Sequence, residues 1–263
     1  MKEFIKRSMT AALLVATFSG AYIHSSLLFS LLLAAIFLVV LCNEWPGLVP
    51  VSGFGGVLFS LLYPCLPMAG LLVLHNLYYP QDFYLSLYPF LIGWTADTCG
   101  YVVGKLSGWH KICPSISPGK SWEGLAGSFV GVVAANFLIL PSLEAPFALA
   151  VRANIVWVIA LSALLTVIAF LGGLMISVFK RAKNLKDAGN VLPGHGGFLD
   201  RLDSVFALIL VVWCLLLAPI LATQSKALYA SSQPVMSSLV AQSKGMVAAG
   251  QQAINKLINA TKK

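Results

Sequence analysis

Three aspartates near one apolar segment have the chemistry of a metal site. Asp200 and Asp203 are spaced i, i+3 at the entrance of the last strongly apolar run, so a helix places both carboxylates on one face. A sharp turn at Pro193–Gly197 brings Asp187 back beside them. Mg²⁺ prefers such oxygen ligands and usually completes its coordination with phosphate oxygens and water. We therefore predict that Asp187, Asp200 and Asp203 bind Mg²⁺, and we leave open a second, monovalent cation.

Basic residues surround these carboxylates. They are Lys180, Arg181, Lys186 and Arg201. Arginine binds phosphate oxygens in bidentate fashion, and lysine acts as a point charge. Carboxylates, a metal ion and cations around one cavity indicate phosphoryl or nucleotidyl transfer, so we expect these four residues to be catalytic together with Asp200 and Asp203. The alternative is that all of them are solvated loop charges.

The segment P-G-H-G-G at residues 193–197 lies between the aspartates. Gly194, Gly196 and Gly197 permit the positive φ of a sharp reversal, and successive N–H groups in such a turn also bind phosphate. Both interpretations stay open. We interpret His195 as a hydrogen-bonding residue of this loop rather than a general base. A phosphomonoester, with a second pKa of about 6, is already an anion at neutral pH.

The composition excludes a soluble globular enzyme. Hydrophobic residues make up 59% of the 263 residues and charged residues only 10%, whereas a soluble domain carries about 25% charge. Because lipid excludes unpaired backbone groups, the remaining class is an all-α, polytopic transmembrane helical bundle. The net charge of +8 is explained by cytoplasmic loops rich in Lys and Arg, and we expect no nucleic-acid partner.

We predict seven membrane spans, since a spanning helix needs about 20 apolar residues. Two short spans form a hairpin within Thr10–Cys42 that turns near Ser25, and the others are Phe54–Leu77, Phe83–Gly104, Leu125–Leu140, Asn154–Phe179 and Ser204–Ala222. Pro64 and Pro67 should kink or break the third span, which would raise the count to eight or nine.

The charged loops determine the predicted orientation and domains. Basic residues near the N-terminus place it in the cytoplasm, and counting spans puts the loops at 105–120 and 180–201 on the same side. These loops and their flanks hold half of the charged residues, so we expect a polar interfacial cavity open to the cytoplasm. We divide the chain into N-terminal helices at 1–80, a transmembrane core at 81–222 with the charged loop 177–203, and a polar tail at 223–263.

The stretch Ser177–Asp203 resembles the signature of phosphatidate cytidylyltransferases (CDP-diacylglycerol synthases). It matches S-x-F-K-R, four residues, K-D, five residues, P-G-H-G-G, two residues, D-R-x-D without a gap. The upstream segments W-T-A-D-T-C-G-Y-V-V-G-K and S-I-S-P-G-K-S-W-E-G are similar to two further motifs of the family. Gly100 stands where the family usually has Ala, and Gly119 stands where it has the first Lys of a pair.

This resemblance implies a membrane nucleotidyltransferase. It would transfer the cytidylyl group of CTP to phosphatidate, giving CDP-diacylglycerol and pyrophosphate for phospholipid biosynthesis. Metal binding by Asp200 and Asp203, with Asp187 alongside, is implied as well. The substrate-binding residues that we expect are Asp97, Ser117, Lys120, Glu123 and Ser177, with Gly194, His195, Gly196 and Gly197 from the glycine turn.

Two other functions compete with this one. A CTP-dependent membrane lipid kinase acting on a polyisoprenol would release CDP, and would need a base for the attacking hydroxyl. An anion transporter also needs buried charge, but it would tend to show two similar halves, which the sequence lacks. We expect CTP and phosphatidate as substrates and the inner membrane of a bacterium as the location. The active site should face the cytoplasm, with a homodimer as one of the open oligomeric states.

Overall fold

The computed structural model of the chain describes residues 2–49, 53–79, 81–192 and 196–218, with side chains from residue 12 onward. Most of these residues are helical. The helices are α1 Lys2–His24, α2 Ser26–Val39, α3 Trp45–Leu48, α4 Gly53–Ser60, α5 Leu66–Tyr78, α6 Tyr88–Ser107, α7 Trp122–Ile139, α8 Pro146–Arg152, α9 Ile155–Ala182 and α10 Leu199–Ala218. Two short strands, β1 Lys111–Cys113 and β2 Ser117–Ser121, form an antiparallel hairpin between α6 and α7.

Five helical segments of the described chain are long and apolar enough to cross a membrane. They are Ser26–Leu48, Gly53–Tyr78, Trp122–Ser142, Ile155–Ala182 and Leu199–Ala218. The predicted all-α, polytopic membrane fold is therefore confirmed. Two further predicted spans are weaker, because the apolar part of α1, Ala12–His24, is short and α6 contains Asp97 and Lys105. The total of seven spans stays a prediction.

Two interruptions of the helices fall where the sequence predicts them. Ser25 is extended (φ −162°, ψ 131°) between α1 and α2, and its side chain accepts a hydrogen bond from the Leu28 N–H. The π-helical turn Leu61–Cys65 separates α4 from α5. Within it, Tyr63 departs from helical geometry immediately before Pro64. Proline interrupts a helix because it has no N–H to donate.

The last described helix, α10, is buried on two sides. Leu208 and Val212 belong to an apolar core shared with α6, α7 and α9. Phe206 and Ile209 belong to a second core shared with α1 and α2. Because helices in a membrane associate through close packing, these two cores fix the position of α10 and of the charged residues in its first turn.

The β hairpin departs from the loop that the sequence led us to expect. Its register pairs Lys111 with Ser121 and Cys113 with Ser117, with an irregularity between the two pairs. Strands this short show no clear alternation of apolar and polar residues, so the pattern gave no signal. Ser121 then caps α7, its hydroxyl oxygen accepting a hydrogen bond from the Gly124 N–H (3.1 Å). The hairpin therefore packs the basic loop against α6 and α7.

The chain divides into two compact units. Residues 1–216 form the first, and residues 217–263 form the second, of which only the last two residues of α10 are described. The predicted polar tail at 223–263 lies outside the described residues. The predicted boundary at residue 80 falls inside the first unit, and the subdivision of that unit stays a prediction.

Helices α6 and α7 approach each other closely at Gly100, one of the two departures from the family motif. A β carbon added there would lie 2.4 Å from Ser128 Oγ, whose hydroxyl donates to the backbone oxygen of Ala96 (2.6 Å). We predict that Gly100→Ala lowers the melting temperature, at a stability cost of about 1–3 kcal/mol that is typical of overpacking. Adding Ser128→Ala should recover most of this loss.

Thermal unfolding of the detergent-solubilised protein measures the effect. Gly20→Ala is the matched control, since nothing lies within 4 Å of the position its β carbon would take. Equal melting temperatures for the Gly100 and Gly20 variants would contradict the predicted clash, as would a double variant no more stable than Gly100→Ala.

Candidate active site

A polar cavity of about 200 Å³ opens between α6, the β hairpin, α7 and α9. Its polar lining includes Asp97 from α6, Ser117 and Lys120 from β2, Ser128 from α7 and Thr166 from α9. Three of the predicted substrate-binding residues, Asp97, Ser117 and Lys120, therefore share one cavity. They come from segments that are separated in the sequence, and the hairpin is the element that brings them together.

Lys120 reaches inwards from β2. Its ammonium group donates a hydrogen bond to the backbone oxygen of Phe170 (2.9 Å) and lies 4.5 Å from the centre of that ring. Burial lowers the pKa of the Lys120 side chain, and the negative charges of Asp203 and Asp97 oppose this shift. The site thus holds a poorly solvated cation beside two carboxylates, in a position to neutralise an anionic phosphate.

Asp97 and Asp203 approach each other across α6 and α10. Ser204 connects them, because its hydroxyl donates to Asp97 Oδ2 (2.9 Å) and its backbone N–H donates to Asp203 Oδ1 (2.7 Å). Asp203 Oδ2 and Lys120 Nζ lie 3.4 and 3.0 Å from the position of a β carbon on Gly173. The missing side chain of this glycine leaves room on α9 for both charged groups.

Asp200 has different contacts from Asp203. Its Oδ1 accepts a hydrogen bond from Lys180 Nζ (2.6 Å), and its Oδ2 accepts from the backbone N–H groups of Ala188 (2.7 Å) and Gly197 (3.0 Å). The Lys180 and Asp200 side chains are only 12% and 8% exposed. Both carboxylate oxygens are therefore engaged within the charged loop, and Asp200 closes that loop.

The three predicted metal ligands lie in different surroundings. Asp187 is exposed. A β carbon added to Gly196 would lie 3.3 Å from the Asp187 Cβ and 2.9 Å from Asp200 Oδ2. Asp203 belongs to the cluster beside the polar cavity. In the part of the chain that the structure describes, no group of three or more Asp, Glu, His or Cys side chains is arranged to hold a metal ion. Binding of Mg²⁺ by these three residues stays a prediction.

Arg181 and Ser177 make contacts that position α9. Arg181 Nε donates to the backbone oxygen of Ile116 (3.1 Å), which joins the charged loop to the β hairpin. The Ser177 hydroxyl donates to the backbone oxygen of Gly173 one turn earlier (2.7 Å). These contacts explain how the two residues shape the site, while their predicted contacts with substrate stay predictions.

Lys186 and Arg201 occupy exposed positions, and Glu123 is partly exposed. Glu123 accepts hydrogen bonds from the His110 backbone N–H (3.3 Å), and its Oε1 lies 2.5 Å from Nδ1 of the same histidine. Arg201 interacts electrostatically with Asp97. Glu123, in the first turn of α7, is therefore paired with His110. The predicted roles of all three residues stay predictions.

One of the two described glycines of the turn, Gly196, has the backbone conformation that the sequence predicts. Gly196 has φ +81°, in the left-handed region that favours glycine, and the Leu192 N–H donates to its backbone oxygen (2.8 Å). At Gly197 a β carbon would lie 2.7 Å from the Glu44 carboxyl group, so only glycine permits this approach. Gly194 and His195 lie outside the described residues, and their roles stay predictions.

Glu44 is a site residue that the sequence analysis missed. It ends the π-helical turn Val40–Glu44 and is only 1% exposed. Its two carboxylate oxygens accept hydrogen bonds from the backbone N–H groups of Phe198 (2.8 Å) and Leu199 (2.7 Å). These are donors at the N-terminus of α10, which the helix itself leaves unpaired. The one feature of the sequence that distinguishes Glu44 is that it is a lone carboxylate at the end of an apolar segment, and this feature does not identify its partners.

Fold and site together define a polytopic membrane protein in which carboxylates and a lysine lie beside a polar cavity. The sequence profile of the cytidylyltransferase family matches residues 4–218. A phosphatidate cytidylyltransferase of Haemophilus influenzae is 39% identical over 155 residues, covering 57% of this chain and 52% of that protein. Two others are similar: that of Rickettsia bellii is 33% identical over 203 residues (76% of this chain, 84% of that protein), and that of Mycobacterium leprae is 42% identical over 142 residues (53% and 43%).

The chain therefore belongs to the cytidylyltransferase family. This confirms the family that was predicted from the resemblance of the charged loop. The chain spans about half the length of the Haemophilus relative that it matches, less than half of the Mycobacterium relative and most of the Rickettsia relative. The region matched by the family profile contains every described residue of the site, from Glu44 to Ser204.

Glu44→Gln should loosen the start of α10. A glutamine oxygen can accept from one of the two N–H groups, but the amide nitrogen cannot accept from the other, so a buried donor is left unsatisfied. We predict a loss of stability of about 1–3 kcal/mol, measured by thermal unfolding in detergent. Glu144→Gln is the control, because that carboxylate is exposed. If both variants had the melting temperature of the wild type, the stability of α10 would not depend on the Glu44 carboxylate.

Proposed function

We propose that the protein transfers the cytidylyl group of CTP to phosphatidate, producing CDP-diacylglycerol and pyrophosphate. The observation that carries this proposal is the cluster of Lys120, Asp97 and Asp203 beside a polar cavity in a membrane protein. The cluster is built from the segments whose motifs resemble phosphatidate cytidylyltransferases. The bacterial relatives that bear this name, one of them aligned over 84% of its length, support the same substrate pair.

The proposed reaction joins a soluble and a membrane-anchored substrate. An oxygen of the phosphatidate phosphate attacks the α-phosphorus of CTP in line, and pyrophosphate leaves. A phosphomonoester has a second pKa of about 6, so the attacking group is already anionic and needs no general base. The protein must therefore hold several anions together and stabilise the negative charge on the departing pyrophosphate.

Lys120 is the residue best placed for that stabilisation. It lines the polar cavity, donates to a backbone oxygen and lies beside the carboxylates of Asp203 and Asp97. The hydroxyl groups of Ser117 and Thr166 line the same cavity and can donate hydrogen bonds to phosphate or ribose oxygens. The Lys180–Asp200 pair acts indirectly, because it closes the loop that precedes α10.

A divalent cation fits the carboxylates of this site. We propose that Asp203 and Asp97 hold Mg²⁺, which in proteins is commonly bound through one or two carboxylates together with substrate phosphates. When bound, the ion would neutralise phosphate charge on CTP. Asp200 fits less well, since both of its oxygens already accept hydrogen bonds.

We further propose that the cavity faces the cytoplasm in a bacterial inner membrane. The basic loops at 105–120 and 180–201 contribute to the site or flank it, and loops rich in Lys and Arg stay on the cytoplasmic side. CTP is available there. The three relatives described above are bacterial proteins, which supports the same location.

The decisive assay uses the purified protein in detergent with CTP, phosphatidate and Mg²⁺. We expect CDP-diacylglycerol and pyrophosphate in equal amounts. A CTP-dependent lipid kinase would release CDP from CTP and a polyisoprenol, so both nucleotide products should be quantified with both lipids. Release of CDP, or no pyrophosphate with both proposed substrates present, would reject the proposal.

Asp203→Asn and Asp200→Asn should fail in different ways. The first keeps the shape of the side chain but removes its charge, so we predict a loss of turnover of about 100-fold or more at an unchanged melting temperature. The second breaks a largely buried ion pair with Lys180, and removing one partner of such a pair costs about 3–5 kcal/mol. Asp200→Asn should therefore lower both the turnover and the melting temperature. If Asp203→Asn kept a third of the wild-type activity, its proposed role would be wrong.

Lys120 should set an alkaline limit on activity. Because burial lowers the pKa of its side chain, the ammonium group loses its proton at a lower pH than an ordinary lysine, and kcat/KM for CTP should fall there. Lys120→Arg should move this limb to higher pH, since a guanidinium stays protonated. Each pH profile of kcat/KM is normalised to its own maximum, so that a shift in pH is separated from a lower overall activity of the variant. If the normalised profiles of the wild type and Lys120→Arg coincided, the alkaline limit would belong to another group.

A further inference from the structure

A second cavity, of about 220 Å³, lies between α1, α2, α6 and the start of α10. Among the described residues that line it, Arg201 is the one charged side chain. The apolar walls include Val15, Phe18, Ile36, Trp94 and Leu202. We call this cavity the apolar groove. Its lining is almost entirely apolar, whereas the polar cavity contains several charged and hydroxyl groups.

The apolar groove adjoins the polar cavity. Trp94 lines the groove, and Asp97, which follows it by one turn of α6, lines the polar cavity. Arg201 is part of the groove wall and interacts electrostatically with Asp97. Arg201 and Leu202 of the groove wall directly precede Asp203 on α10, so the groove and the charged cluster share the first turns of this helix.

The groove is accessible from the side of the protein. Val15 is 60% exposed and Trp94 is 40% exposed, although both are large apolar residues of a membrane protein. Their exposed surfaces face lipid when the helices are inserted in a bilayer. A hydrocarbon chain can therefore enter the groove laterally without crossing water.

We propose that the apolar groove holds one acyl chain of the lipid substrate, with the lipid phosphate next to Arg201. An apolar groove with one cation in its wall is complementary to an amphiphile with an anionic head group, and arginine binds phosphate oxygens in bidentate fashion. The groove is smaller than the roughly 300–1,000 Å³ of typical ligand pockets, which suits one chain and leaves the second in the bilayer. The inference rests on the proposed function, which names phosphatidate as the lipid.

Photolabelling tests occupancy of the groove without requiring turnover. A phosphatidate that carries a diazirine in one acyl chain should label α1 and α10 of the full chain at groove residues such as Val15 and Leu202. Unlabelled phosphatidate should displace this label, and phosphatidylcholine should not. Labelling that both lipids displace equally would mean that ordinary bilayer lipid fills the groove, and would overturn the proposal.

Val15→Trp tests the groove by filling it from an exposed position. We expect the KM for dioleoyl phosphatidate to rise about tenfold, the effect of excluding roughly two methylene groups. The KM for CTP and the rate with dihexanoyl phosphatidate should stay near the wild type. Leu13→Trp is the matched control, because Leu13 is 68% exposed on the same helix and does not line the groove.

Equal kinetics for the two tryptophan variants would overturn the proposal. An equal loss with short and long phosphatidate in Val15→Trp would do so too, because it would show a distorted site rather than a blocked groove. Failure of the wild type to form CDP-diacylglycerol from any phosphatidate would reject the proposed function instead. The photolabelling result would then still decide whether the groove binds an anionic lipid.

Discussion

The contact of the Glu44 carboxylate with the first N–H groups of α10 is the interaction on which the site depends. It joins residues 154 and 155 positions apart in the sequence and fixes where α10 begins. Because Asp200, Arg201 and Asp203 all lie in the first turns of this helix, a shift of its N-terminus would move each of them. The negative charge of Glu44 is also attracted to the positive end of the helix dipole, so the contact is favourable in its own right.

Around this contact the structure separates two tasks. Asp200 and Lys180 close the charged loop, whereas Asp203, Asp97 and Lys120 form the charged cluster beside the polar cavity. The separation explains why two aspartates three residues apart on one helix have different neighbours. The cores on both sides of α10 hold the helix so that one aspartate meets the loop and the other meets α6 and β2.

The sequence alone was sufficient for features that depend on local spacing. It predicted the all-α membrane fold from composition, the interruptions at Ser25 and Pro64 from residue type, and the joint location of Asp97, Ser117 and Lys120 from a family motif. It could not predict Glu44, the β hairpin or the pairing of Asp200 with Lys180. Those features arise from contacts between distant segments, and no periodicity encodes which donor a buried carboxylate will meet.

The contact between Glu44 and α10 also has a consequence for how the protein itself is synthesised and inserted. Glu44 is made early, and its partners Phe198 and Leu199 are made about 155 residues later. At about 5–20 residues per second, this is an interval of roughly 8–30 s. During that time the N-terminal helices enter the membrane with a carboxylate whose final partners do not yet exist. The site can therefore assemble only when the last of these helices is inserted, so an incomplete chain released from the ribosome has no working site.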